Sequence, residues 1–191
     1  MANVVKNHSI SSELAQNMVD EAVAKARELG VTENVAILDD GGNLKAFSRM
    51  DGAPILSIEI AQNKAYTALF GFPTQDFFNF IQNDPSLLAG IPTLARVAAY
   101  GGGLPIKVDG EIVGAIGVSG APTVQNDIDC ARAALALVPG AAPAEEQGSD
   151  HHDSQPPGNH STSPGNDSHP PDRADAVRRG QRHPLRLSSL R

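Results

Sequence analysis

The chain has 191 residues, room for one domain and a small addition, with 40% hydrophobic residues but only 4% aromatic ones and no Trp, so its core must be aliphatic. A formal charge of -7 argues against a nucleic-acid partner, which would need clustered Lys and Arg. A single Cys excludes an internal disulfide framework and fits a reducing compartment, and no apolar stretch suggests a signal peptide or a membrane span; a cytoplasmic protein is expected.

Ser11 or Ser12 is placed to cap a first helix with Glu13 in its first turn. Leu14, Met18, Ala22, Ala26 and Leu29 follow at helical spacing, and Gly30 suits the C′ position. Asn34–Asp39 reads as a strand, Gly41-Gly42-Asn43 as a hairpin turn and Leu44–Arg49 as the returning strand. Ile55–Leu69 is a second helix with Ile58, Ala61, Ala65 and Ala68 on one face. Pro73-Thr74 opens a short third helix holding Phe77, Phe78, Phe80 and Ile81, and Asp84-Pro85 reads as loop.

Three short β runs are then predicted, Ala95–Tyr100, Leu104–Val108 and Ile112–Val118, with a tight turn at Asp109-Gly110. Thr123–Val138 closes the domain as an amphipathic helix with Ile128, Ala131, Ala134 and Leu137 facing inward. Short connections favour antiparallel pairing, and helices must cover the apolar face. The expected fold is therefore α+β, a five-stranded antiparallel sheet flanked by helices in the order α-β-β-α-α-β-β-β-α. Composition changes sharply near Pro139-Gly140. Residues 1–141 are read as the domain. Residues 142–191, rich in Pro, Gly, Ser and His, are read as a disordered tail that buries too little apolar surface to offset its ordering entropy. Five of the six histidines lie in that tail.

Four places in the domain invite chemistry. Arg49 and Asp51 flank a strand end; they can pair locally, or Arg49 can present its planar fork to an anion, and Asp51 can cap the next helix. Lys64 lies between packed alanines; its stem can snorkel to water, or its amine needs a partner such as Asp51 or a ligand carboxylate. Gly101-Gly102-Gly103 allows either a close approach to a ligand or a tight irregular connection. The run Gly114–Thr123 is no Walker A loop, since no Lys follows its last Gly, and no parallel βαβ unit supports a dinucleotide site. What survives is a Ser119-Gly120 helix start, either an ordinary cap or a carboxylate anchor, with Asp127 one turn on. Cys130 reads as a buried structural thiol. With His8 the sole histidine before the tail, neither a His-centred triad nor a multi-histidine metal site is available in the domain.

The stretches VAILDDGGNLKAFSRMDGAP, IAQNKAYTALFGFPT, GGGLPIKVDGEIVGAIGVSG and the helix around QNDIDCA together resemble the GlcG/HbpS-like family, once called DUF336. That family includes the C-terminal domain of propanediol-utilisation adenosyltransferases. The similarity spans roughly residues 10–138 and rests on the order and spacing of the set. It implies the five-stranded fold, homo-oligomeric assembly and, in some members, binding of haem or a comparable small ligand. By that resemblance His8 is the natural haem ligand, with Thr67 or Thr93 in its place if the ligand is a Thr. Haem or a similar anionic ligand would then meet Arg49 and Lys64. Gly102, Gly103, Ser119, Gly120 and Asp127 complete the expected binding residues. The alternative is an enzyme for a small carboxylated metabolite, anchored by Arg49 and Ser119-Gly120, in which Lys64 or Asp51 moves a proton. A third reading is a structural or regulatory oligomer without ligand.

Overall fold

The computed structural model describes residue 3 and residues 5–140; the tail predicted for residues 142–191 lies outside the described residues. The elements run α1 (Ser12–Glu28), β1 (Asn34–Asp39), β2 (Leu44–Arg49), α2 (Ser57–Ala68), α3 (Thr74–Ile81), α4 (Pro85–Gly90), a 3₁₀ turn (Ile91–Thr93), β3 (Gly103–Val108), β4 (Glu111–Ser119) and α5 (Val124–Leu135). Among the described residues four strands, not five, form one antiparallel sheet in the order β2-β1-β4-β3. Among the described residues no helix is long and apolar enough to cross a membrane.

The expected strand at Ala95–Tyr100 does not form, and the reason is local. Arg96 takes φ 64°, which breaks extended backbone. The polar groups of this segment find side chains instead of a ladder: the Ala98 N–H donates to Thr67 Oγ1 at 2.9 Å, and the Thr74 hydroxyl donates to the Tyr100 carbonyl at 2.7 Å. With those groups satisfied by α2 and α3, pairing has nothing left to gain. The loop expected after Asp84 is in fact α4, with Asp84 accepting from the N–H groups of Ser86 and Leu87 and Pro85 in the first turn.

The two faces of the sheet differ in side-chain size. Val35, Ile37, Leu104, Ile106, Ile116 and Val118 join one core with α1 and α5. On the opposite face Leu38 and Ala115 pack with Ala65 and Ala68 of α2. Gly103 and Gly117 are register partners on the opposite face, and α2 lies directly on them. A Cβ at Gly117 would sit 2.0 Å from the Ala61 carbonyl oxygen, and one at Gly103 would sit 2.4 Å from that of Lys64. The glycines therefore let helix backbone touch sheet backbone. On the helices, Ala15, Met18, Val19, Ala22, Val23 and Ala26 form the buried face of α1, while Leu29 and Leu137, both expected inside, are exposed, and Ile128 is half-buried. The Asp109-Gly110 turn is as predicted, with positive φ at both residues.

Candidate functional site

Lys64 is fully buried, so its stem does not snorkel to water. It leaves α2 on one face of the sheet and ends against α5, which packs on the other. The passage is at Gly102, where a Cβ would lie 2.9 Å from Lys64 Nζ and 2.8 Å from the Cβ of Asp127. Lys64 Nζ donates to Asp127 Oδ2 at 2.5 Å and to the Val118 carbonyl at 2.9 Å, and the Tyr100 ring centroid is 4.9 Å from it. The partner is thus Asp127 rather than Asp51, which stays exposed in the turn after β2. Burial pulls the Lys64 amine below its ordinary pKa, while the Asp127 charge acts in the opposite sense.

Glu33 completes this cluster, and the sequence reading missed it. It sits just before β1, fully buried, with Oε2 accepting the Ala121 N–H at 3.0 Å. The Ser119–Ala121 turn closes over it: a Cβ at Gly120 would meet Glu33 Oε2 at 3.0 Å. A backbone N–H of the Ser119-Gly120 turn therefore does meet a carboxylate, and it is the chain's own. Burial first, and then the Asp127 charge, push Glu33 up to about 8. The only sequence signal was an acid at the head of an otherwise apolar run, Glu33 before NVAILD. Cys130, on the buried side of α5, has its thiol pushed up to about 12 by burial, as an inert structural thiol should.

Arg49 is exposed on edge strand β2, and its Nε and one terminal nitrogen donate to the Ala53 carbonyl, both at 3.3 Å. That contact folds the guanidinium onto the Met50–Ala53 turn. Helix α2 starts at Ser57 without a side-chain cap, so Asp51 does not cap it.

His8 lies elsewhere. A register shift between Ile106 and Lys107 leaves Val113 without a partner in β3, and its carbonyl accepts the Ile10 N–H at 2.9 Å. That bond lays the N-terminal segment along the start of β4. His8 Nδ1 is then 2.7 Å from Glu111 Oε2, with both side chains largely exposed at 80% and 66%. The Glu111 carboxylate raises the His8 pKa, by hydrogen bond and by charge. An open groove of about 370 Å³ adjoins it, walled by Ile10, Leu14, Val108 and Val113 with Ser9, Ser11 and Asp109 at its edge. Glu111 and Ser119 mark opposite ends of β4, eight steps or about 26 Å apart. Arg49 pairs across from Asn34, which pairs with Ser119, so it shares the far end with the Lys64 cluster. The sequence-predicted residues thus fall into two separate groups. Thr67 donates to the Asn63 carbonyl within α2, and Thr93 donates to the Gly90 carbonyl; neither faces His8's groove.

Comparison with known proteins agrees with this architecture. A solved Klebsiella pneumoniae protein, ORFY, described as DUF336, superposes with a TM-score of 0.68 at 32% identity, over 74% of this chain and 99% of that one. A structure described as a PduOC:haem complex superposes with a TM-score of 0.63 at 30% identity, over 69% of this chain and 96% of the other. An uncharacterised 15.0 kDa Citrobacter freundii protein from the dhaT-dhaS intergenic region is 36% identical over 129 residues, 66% of this chain and 90% of that protein. The sequence model of the family described as haem degrading protein HbpS-like matches residues 10–136. The chain therefore belongs to the HbpS-like, DUF336 family.

Proposed function

We propose that this protein binds haem, or a comparable planar anionic ligand, with His8 as the axial ligand over the groove formed by the N-terminal segment and the β3–β4 hairpin. One observation carries the reading: Glu111 holds His8 Nδ1 at 2.7 Å at the edge of an apolar-walled groove. A metal-ligating imidazole characteristically donates its second ring N–H to a carboxylate, which fixes the tautomer and frees the other nitrogen. Here Nδ1–H would face Glu111, leaving the Nε2 lone pair for iron. Ile10, Leu14, Val108 and Val113 offer the apolar wall a porphyrin face needs. The haem complex of the PduOC relative supports the ligand class. Haem would supply a redox-active iron when bound; the chain would supply the imidazole, its orientation and the wall.

Among the described residues, those lining the groove include Asp109 and Glu111 but no Lys or Arg. Arg49 and Lys64, at the far end of β4, are not beside this ligand's carboxylates in one chain, so those groups would point to solvent. His8 must be neutral to bind iron, and Glu111 raises its pKa. Affinity should therefore rise with pH through that raised value and fall on acidification. Haem titration followed by the Soret band tests the reading. Wild type should shift the band at micromolar haem, His8→Ala should lose the shift, and Glu111→Ala should weaken binding by about tenfold. A wild type that leaves the Soret band unmoved, or a His8→Ala variant that binds like wild type, would overturn it.

A further inference from the structure

The Lys64 cluster lies outside that groove and has more acid than base. Two carboxylates, Glu33 and Asp127, are sealed from water with one ammonium. Asp127 commits Oδ2 to Lys64, and Glu33 commits Oε2 to the Ala121 N–H. Their remaining oxygens, Glu33 Oε1 and Asp127 Oδ1, are buried and have no hydrogen-bond donor. The Asp127 charge and a hydrogen bond to Asp127 both favour the protonated form of Glu33. Fully ionised, the site would hold a net negative charge and two orphan acceptors, a costly combination in a dry interior. One added proton removes both faults: it neutralises the cluster and gives one orphan oxygen a hydrogen to donate to the other.

We propose that Glu33 and Asp127 hold one proton between them in the folded protein, and that losing it opens the Ser119–Ala121 turn, making the cluster a pH-sensitive clasp on the far end of the sheet. Gly120 lies against Glu33 with φ 149° and carries no side chain. The Ala121 N–H favours ionised Glu33, so opening is driven against that bond by the stranded charge and the two orphan oxygens seeking water. Burial and the Asp127 charge place proton loss at about 8, on Glu33. The other groups that act on the cluster are Lys64 from α2, Tyr100 from the loop before β3 and Cys130 on α5, with Asp129 and Lys25 bearing on Cys130. Tyr100 and Cys130 are both pushed up by burial and stay neutral through mildly alkaline pH. Lys64, pulled down, is the competing source of an alkaline transition.

Glu33→Gln separates the two. A Gln in that place mimics protonated Glu: its amide can donate to Asp127 while its oxygen accepts from Ala121. Full-length protein labelled at Glu side chains would be titrated by carboxyl ¹³C NMR, and amide exchange at residues 119–121 followed from roughly pH 6 to 9. The Glu33 carbon should titrate near the value of about 8, far above its ordinary 4.5. Exchange at 119–121, corrected for intrinsic base catalysis, should rise about tenfold in wild type and stay flat in Glu33→Gln. A Glu33 carbon titrating in the ordinary carboxylate range would overturn the proposal. So would a Glu33→Gln variant that keeps the alkaline opening, which would assign it to Lys64. Should the variant not fold, the wild-type carbon titration decides by itself.

Discussion

Lys64 is the largest side chain that the described residues bury completely. An ammonium in that position is tolerable only because Asp127 and the Val118 carbonyl replace its water. Lys64→Met should therefore destabilise the fold by about 3–5 kcal/mol in guanidinium denaturation near neutral pH, since it strands a buried carboxylate. A Lys64→Met variant as stable as wild type would contradict the account. Glu33 has the opposite dependence on charge. Its folded-state value of about 8 lies above its ordinary 4.5, so its contribution to stability is complete below the lower value and is lost as pH rises through the upper one. How far sequence reached is visible in these same residues. Lys64 stood out because it interrupts a run of alanines, but its partner is 63 positions away on another helix. Nothing local links the two, and Glu33 offered only an acid at a strand's edge.

At the scale of elements, α2 meets the sheet by close backbone approach at Gly103 and Gly117 and by a small apolar cluster of Leu38, Ala65, Ala68 and Ala115. Gly117→Ala places a methyl 2.0 Å from the Ala61 carbonyl oxygen, a contact that only a shift of the whole helix can relieve. It should cost about 3 kcal/mol and, by moving α2, disturb the Lys64–Asp127 pair; chemical denaturation and the environment of Tyr100 by NMR would show both. A Gly117→Ala variant as stable as wild type would mean that α2 is not seated as described. Periodicity revealed α1, α2, α5 and the β1–β2 and β3–β4 hairpins, because each has a regular apolar face or a glycine turn. It failed at Ala95–Tyr100, where Leu94, Ala95, Val97 and Ala98 imitate a strand. What decides that segment is Arg96 at φ 64° and two threonine hydroxyls supplied by α2 and α3, and such long-range hydrogen bonds leave no trace in a local pattern. The glycines of Gly101–Gly103 were legible as a place of close approach, yet what approaches at Gly103 is the chain's own helix, and the same role of Gly117 was not read from sequence.

Over the whole molecule, the family similarity ends at residue 136 and α5 at Leu135, so the secondary structure and the similarity close together. We propose that residues 1–141 fold without the remainder; a chain stopped at 141 should unfold with the same guanidinium midpoint and slope as the full chain, and a shift of about 1 kcal/mol or more would show that the tail contributes. The two groups of candidate residues lie at opposite ends of β4, so changes at His8 and at Lys64 share no contact.

Both tyrosines of the chain lie against cations: the Tyr100 ring over Lys64, and the Tyr66 ring 3.8 Å from the Arg96 guanidinium. With no Trp present, intrinsic emission from the native protein comes from these two phenols alone. The molecule therefore carries an optical probe at each end of β1: Tyr100 beside the Lys64 cluster, and Tyr66 against Gly42 in the β1–β2 turn. Ultraviolet fluorescence can follow the clasp in unlabelled protein, without any added dye.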